Sequence, residues 1–174
     1  ETLERGPGAI PADLSFTMSG VPFENVEWLG EVALVLLYRH AGYLGIALLA
    51  GVVFAATFSW LYRILLRETA HPVAALLVTV LAAQIALIQF LARPLIFSFP
   101  LFLAVHELVR KPGRFTPWLF PILTALWANV HPSAYFAPAI ATFYWLKRPE
   151  RNSLGLATLL SFLALGITPW GYSW

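Results

Sequence analysis

Six apolar runs, at residues 43–66, 72–91, 94–109, 115–129, 133–146 and 154–167, are separated by short polar or proline-bearing breaks, and this spacing constrains the chain more than any other feature. A helix needs about 20 apolar residues to cross the hydrocarbon core of a bilayer. The first two runs reach that length. The four later ones are shorter, so they are expected to thin the bilayer locally, to continue into their polar flanks, or to be partly re-entrant. Backbone amides in hydrocarbon must be satisfied within the chain, and runs of this length do so as helices. The expected fold is therefore all-α, a polytopic integral membrane helical bundle. Composition agrees, because 11% charged residues and a mean hydropathy of +0.73 exceed what one soluble core requires.

Two regions follow from this pattern. Residues 1–42 form an outer segment, irregular through its Gly, Pro and Ser positions and closing in an amphipathic helix over about 27–39; residues 43–174 form the bundle. Thirteen residues are too few to span, and Glu24, Glu27 and Glu31 fall on one side of such a helix, which suits a position in the membrane interface. Pro100 is expected to kink the third run, and the small residues Gly45, Ala47, Ala50, Gly51, Ala55 and Ala56 of the first are expected to pack closely against other helices.

Charge supplies the orientation. Arg63, Arg67, Arg110, Lys111, Arg114, Lys147, Arg148 and Arg151, eight of the eleven basic residues, fall on one side of the alternating runs, while six of the nine acids fall on the other. By the positive-inside rule the basic clusters are cytoplasmic, so residues 1–42, Arg93, the Asn129–His131 turn and Thr168 to Trp174 face outward. The chain is thus expected to be multi-pass, with 1–42 on the outer side. Basic residues scattered in short clusters argue against nucleic acid as a partner, and the absence of Cys excludes thiol nucleophiles and Cys-ligated zinc. No signal peptide is expected in the first thirty residues. A start at Glu1 and a stop directly after an apolar run suggest part of a longer chain.

The stretches LERGPGAIPADLSFTMSGVPF, VEWLGEVALVLLYRHAGYLG, ARPLIFSF, LWANVHPSAY and TPWGYSW resemble, in order and spacing, bacterial polytopic proteins related to GT-C-type glycosyltransferases. That resemblance implies a protein of the bacterial inner membrane, with 1–42 periplasmic, that transfers a sugar from a polyprenyl-phosphate donor at the outer membrane face. It also implies an outer acidic loop, with Asp13 and Glu27 aligned with it as candidates for the catalytic base. The chain departs from the family pattern in lacking the first helix and the start of that loop, in carrying Pro132-Ser133 where relatives have Gly-Gly, and in ending with Thr in place of Asn.

Read as chemistry, glycosyl transfer from a lipid phosphate needs a base for the acceptor and positive charge for the departing phosphate. Asp13, Glu27 and His131 are the catalytic candidates. Arg93, a lone basic residue before a proline on the side poor in positive charge, is the candidate phosphate contact, its alternative role being an anchor to ordinary headgroups. Asn129, Trp127 and Trp170 are the remaining candidate substrate-binding residues. Asn129 reads equally as a cap for exposed helix-end groups, and Glu31 as part of the wet helix face. No D-x-D or E-x-D occurs, so no metal is assigned and no cofactor is identified. His106, beside Glu107, reads as an interfacial residue near Arg110; its alternative is ligation of haem or pigment. Two functions stand open: a transferase module or remnant, and a non-catalytic subunit of a larger membrane complex, pigment-binding or electron-transferring. The expected partners are membrane lipid, a lipid-linked sugar or other membrane subunits.

Overall fold

A computed structural model describes residues 25–91 and 93–172, and the described residues are all-α. Six α-helices follow one another: α1 (Trp28–Thr69), α2 (Pro72–Leu87), α3 (Ser98–Arg110), α4 (Thr116–Val130), α5 (Phe136–Lys147) and α6 (Asn152–Leu165). Short 3-10 turns at Pro94–Phe97 and Pro132–Tyr135 lead into α3 and α5. Run 43–66 lies within α1, and each of the other five runs matches one helix with ends displaced by at most four residues.

The expected interfacial helix and first span are joined as α1 and divided within it. Gly42 has φ 58° and ψ −157°, a conformation that costs a glycine little and other residues much. The break therefore falls where the sequence separates the two. Pro100 introduces no kink, because α3 begins at Ser98 and a first-turn amide has no helical acceptor to lose. Pro138 occupies the equivalent place in α5.

The core lies among α3 to α6, where Val105, Val109, Phe120, Trp127, Ala134, Ala137, Ala141, Leu154 and Ala157 are each at most 1% exposed. Alanines on α5 and α6 let these helices approach closely. Of the small residues of α1, Gly45 is buried and Ala50 half-buried, while Ala47, Gly51, Ala55 and Ala56 are exposed, so the stripe is packed only in part among the described residues.

The core is apolar, but small hydroxyl side chains are buried with it and large apolar side chains are exposed. The buried set includes Thr57, Thr79, Ser98, Thr124, Thr158 and Ser161, while α2 exposes Val73, Leu77, Leu81, Ile85 and Leu87. One described helix, α1, is long and apolar enough to cross a membrane; α2 and α6 are apolar but shorter.

At one end of the bundle, four charges join α1 to α3. Glu107 accepts from Arg67 at 2.7 Å and from Arg110 at 2.9 Å, and Arg110 also pairs with Glu68. His106 points elsewhere, with Nε2 3.1 Å from the Tyr144 hydroxyl, as neighbouring positions on a helix require.

At the opposite end of α3, the first limb of α1 crosses the Pro94 turn at Gly30. A Cβ there would lie 2.4 Å from Pro94 Cβ and 3.1 Å from the Val130 carbonyl oxygen. Replacing Gly30 by Val is expected to lower stability by about 1–3 kcal/mol through overpacking, read as a lower unfolding midpoint. Gly51→Ala, which meets nothing within 4 Å, is expected to leave the midpoint unchanged or raise it, because Ala is the better helix former. Equal effects from the two substitutions would show that Gly30 is not a close-contact position.

Candidate functional site

The crossing at Gly30 brings three distant parts of the chain to one pocket of about 520 Å³, lined by Glu27, Glu31, Arg93 and His131, with Leu34 and Pro94 among its apolar walls. Local structure sets each polar group. Glu27 stands immediately before α1, and its amide donates to Asn25 Oδ1 at 3.1 Å. The Asn25 amide group donates to Glu31 at 2.6 Å. Asn25 is only 3% exposed, so a buried side chain fixes the Glu27 backbone and the Glu31 carboxylate at the start of α1.

Arg93 and His131 both precede proline, which disfavours helical backbone at the preceding residue. Arg93 accordingly has φ −129° and ψ 153°, and His131 has φ −162° and ψ 142°. His131 therefore ends α4 and leads into the Pro132 turn, while Arg93 stands between the end of α2 at Leu87 and the Pro94 turn. Proline at 94 and at 132 thereby places a cation and an imidazole on the same rim.

The imidazole is committed at both nitrogens. Its Nδ1 accepts the Ser133 amide at 3.0 Å and lies 2.8 Å from the Ser133 hydroxyl. Because an N–H already points at Nδ1, the ring proton resides on Nε2, 3.1 Å from Glu27 Oε1, and is donated to the carboxylate. Burial holds the His131 pKa below its usual 6.5, and protonating Nδ1 would also cost the Ser133 amide its acceptor. In this geometry His131 is neutral and orients Glu27, which leaves Glu27 as the group able to take a proton.

Glu27 is tuned in the corresponding direction. Burial raises its pKa above 4.5, Glu31 raises it further, and Arg93 pulls it down. A carboxylate that titrates above the ordinary range, beside a guanidinium, suits proton abstraction next to an anion.

The other candidates lie elsewhere. Asp13 falls outside the described residues. Asn129 is fully engaged as a brace: its Oδ1 accepts Trp28 Nε1–H at 2.9 Å, and its amide group donates to the Ala125 and Ile167 carbonyls at 2.8 and 2.7 Å. It ties the start of α1 to α4 and to the segment after α6. Trp127 is 1% exposed and donates to Ser98 Oγ at 3.0 Å, inside the core. Trp170 belongs to a terminal turn in which its amide donates to Thr168 Oγ1, away from the Glu27 pocket.

Sequence reasoning passed over two groups and set a third aside. Glu31, whose four-residue spacing from Glu27 placed both on one side of the helix, was assigned to a wet face and lines the pocket. Asn25 and Ser133 carried no such signal, because their roles rest on contacts made only after the helices pack.

The geometry defines a helical bundle with an acid–imidazole–guanidinium pocket at one end. Comparison with family models, curated proteins and solved structures finds no match.

Proposed function

We propose that this chain is a polytopic membrane module of GT-C-like type that transfers a sugar from a polyprenyl-phosphate donor, with the Glu27 pocket at the outer membrane face as its site. The observation that carries this reading is the convergence of Glu27, Arg93 and His131, from three separate segments, on a single pocket. Arg93 binds the donor phosphate through its planar fork. Glu27 removes the acceptor hydroxyl proton as that oxygen attacks the anomeric carbon, and the sugar–phosphate bond breaks with its electron pair on the phosphate. His131 holds the carboxylate in place. Asp13 is retained as a second acidic candidate through the resemblance.

The membrane part of the proposal is supported by α1, by the apolar exterior of α2, and by the concentration of basic residues in the breaks on one side of the runs. It places the chain in a bacterial inner membrane with Arg39 outside and Gly113 inside. Because the sequence has no Cys, Arg39→Cys and Gly113→Cys each introduce a unique thiol for labelling in oriented vesicles. An impermeant reagent is expected to reach residue 39 and not residue 113 from the outside; labelling of both from one side refutes the topology.

The catalytic part is tested by reconstituting the intact chain with a radiolabelled polyprenyl-phosphate sugar. Wild type is expected to transfer label, and Arg93→Ala to lose at least about tenfold, mostly through weaker donor binding. Recovery of the native chain in a stable assembly with other subunits, with no transfer, instead supports the non-catalytic subunit.

A further inference from the structure

Two breaks of the chain meet at the end of the bundle where α3 and α5 stop and α4 and α6 begin: residues 111–115 and residues 147–151. The Tyr144 hydroxyl, near the end of α5, lies 3.1 Å from His106 Nε2, near the end of α3. Trp145 packs on α6 at Gly155, where an added Cβ would lie 3.0 Å from the indole nitrogen. The two breaks carry Lys111, Arg114, Lys147, Arg148 and Arg151 against a single carboxylate, Glu150. All of these side chains are exposed.

Other charges at this end neutralise one another, since Arg67 and Arg110 pair with Glu107 and Glu68. The five cations of the breaks do not: among the described residues none of them forms an ion pair, even with Glu150. Two of them also stand where a helix tolerates positive charge least. Arg114 comes two residues before α4 and Arg151 immediately before α6, and neither helix has an acidic residue in its first turn. Helix N-termini already carry partial positive charge, so a cation there costs stability that Asp or Glu would supply. An external anion on this face offsets that cost.

Aromatic side chains border the cations. Arg114 Cζ lies 4.6 Å from the Phe115 ring centroid, and Lys147 Nζ lies 4.4 Å from that of Phe143. Trp118 and Leu146 are exposed beside them. A soluble anion satisfies the charges and leaves these apolar groups in water. A phospholipid satisfies both, with its headgroup against the cations and its chains against the rings.

We propose that this face is a docking surface for acidic phospholipids, whose anionic headgroups sit on the two breaks and whose chains cover Phe115, Trp118 and Phe143. The surface requires the chain to be inserted in a membrane and is independent of sugar transfer at the Glu27 pocket.

Electron spin resonance of the intact chain in phosphatidylcholine vesicles, doped with spin-labelled phosphatidylglycerol or spin-labelled phosphatidylcholine, tests this through the fraction of probe that the protein immobilises. Wild type is expected to prefer phosphatidylglycerol by at least about fivefold at low ionic strength, the factor that one cation near the surface supplies. Most of that preference should disappear at about 1 M salt, where screening is nearly complete. Replacing Lys111, Arg114, Lys147, Arg148 and Arg151 together by Gln is expected to abolish it, whereas Arg39→Gln, on the first limb of α1, is expected to leave it intact. In neutral detergent, Arg114→Gln combined with Arg151→Gln should unfold at a temperature equal to or above that of wild type. Equal affinity of wild type for the two probes overturns the proposal without any variant. Survival of the preference in the fivefold Gln variant, its loss in Arg39→Gln, or a lowered midpoint in the double variant also overturns it. Displacement of the lipid by inorganic phosphate at constant ionic strength would assign the face to a free anion instead. If neither probe is immobilised, the chain is not inserted and the membrane reading falls with the docking surface; insertion without preference removes the docking surface alone.

Discussion

Glu27→Gln is expected to reduce sugar transfer by at least about 100-fold while leaving the pocket assembled. The amide oxygen of Gln still accepts the Nε2–H of His131, now 3.1 Å from the carboxylate, so what disappears is the capacity to take a proton. The pH profile carries the second half of this prediction. Glu27 works as a base only when ionised, and burial, followed by Glu31, holds its pKa above 4.5. Transfer should therefore rise with pH through a limb lying above the ordinary carboxylate range. Arg93 pulls that pKa down, so Arg93→Ala is expected to move the limb to higher pH; Glu31→Gln is expected to move it lower. For stability the sign is opposite. A carboxyl whose folded pKa is raised contributes stability below its unfolded value and loses it as pH rises through the folded value. Glu27→Gln should then unfold at a temperature equal to or above that of wild type at neutral pH. A profile that does not move in either neighbouring variant would remove Glu27 from the role of base.

Trp127→Ala is expected to be the most destabilising single change, at about 3–5 kcal/mol, or roughly 6–20 °C in unfolding midpoint for a chain of this size. Trp127 is 1% exposed and sits in the core between α3 and α5, so truncation leaves a cavity that the surrounding helices cannot fully close. It also removes the N–H shared by Ser98 and Ser133. Trp127→Phe keeps most of the volume and loses only that donor, and should cost about half as much or less. Thermal unfolding of both variants in the same detergent separates the packing contribution from the hydrogen bond. Equal losses would assign the whole effect to the hydrogen bond, and a loss below about 1 kcal/mol for Ala would mean that Trp127 is not a tightly packed core residue.

Helix number and order were legible because they depend on local properties. Apolar runs of these lengths form helices whatever their neighbours do, and Pro132 ends α4 by steric contact with the preceding residue, whereas α2 has already stopped at Leu87, before Pro94. Gly42 is a similar case, since the break in composition near residue 42 coincides with the break in α1. Other expectations failed for equally physical reasons. Pro100 was read as a kink because its place in the first turn of α3 depends on where that helix starts. Ala47, Gly51 and Ala55 were read as a packing stripe because composition does not say which face of α1 meets other helices.

The candidate site divides along the same line. By itself the sequence determined that Glu27, Arg93 and His131 are unusual polar groups at the breaks of an apolar chain, since each is visible against its immediate neighbours. It equally determined that Arg93 and His131 are each followed by proline, and the structure shows both in extended backbone. Only the tertiary structure decided that these three share one pocket, that Asn129 and Trp127 serve the framework, and that His131 offers its proton to Glu27 rather than a free lone pair. Those outcomes depend on helix crossings such as Gly30 over Pro94, where a difference of one methyl group sets the distance between segments far apart in the chain. No local pattern encodes such a distance, because it arises from the packing of all the helices at once.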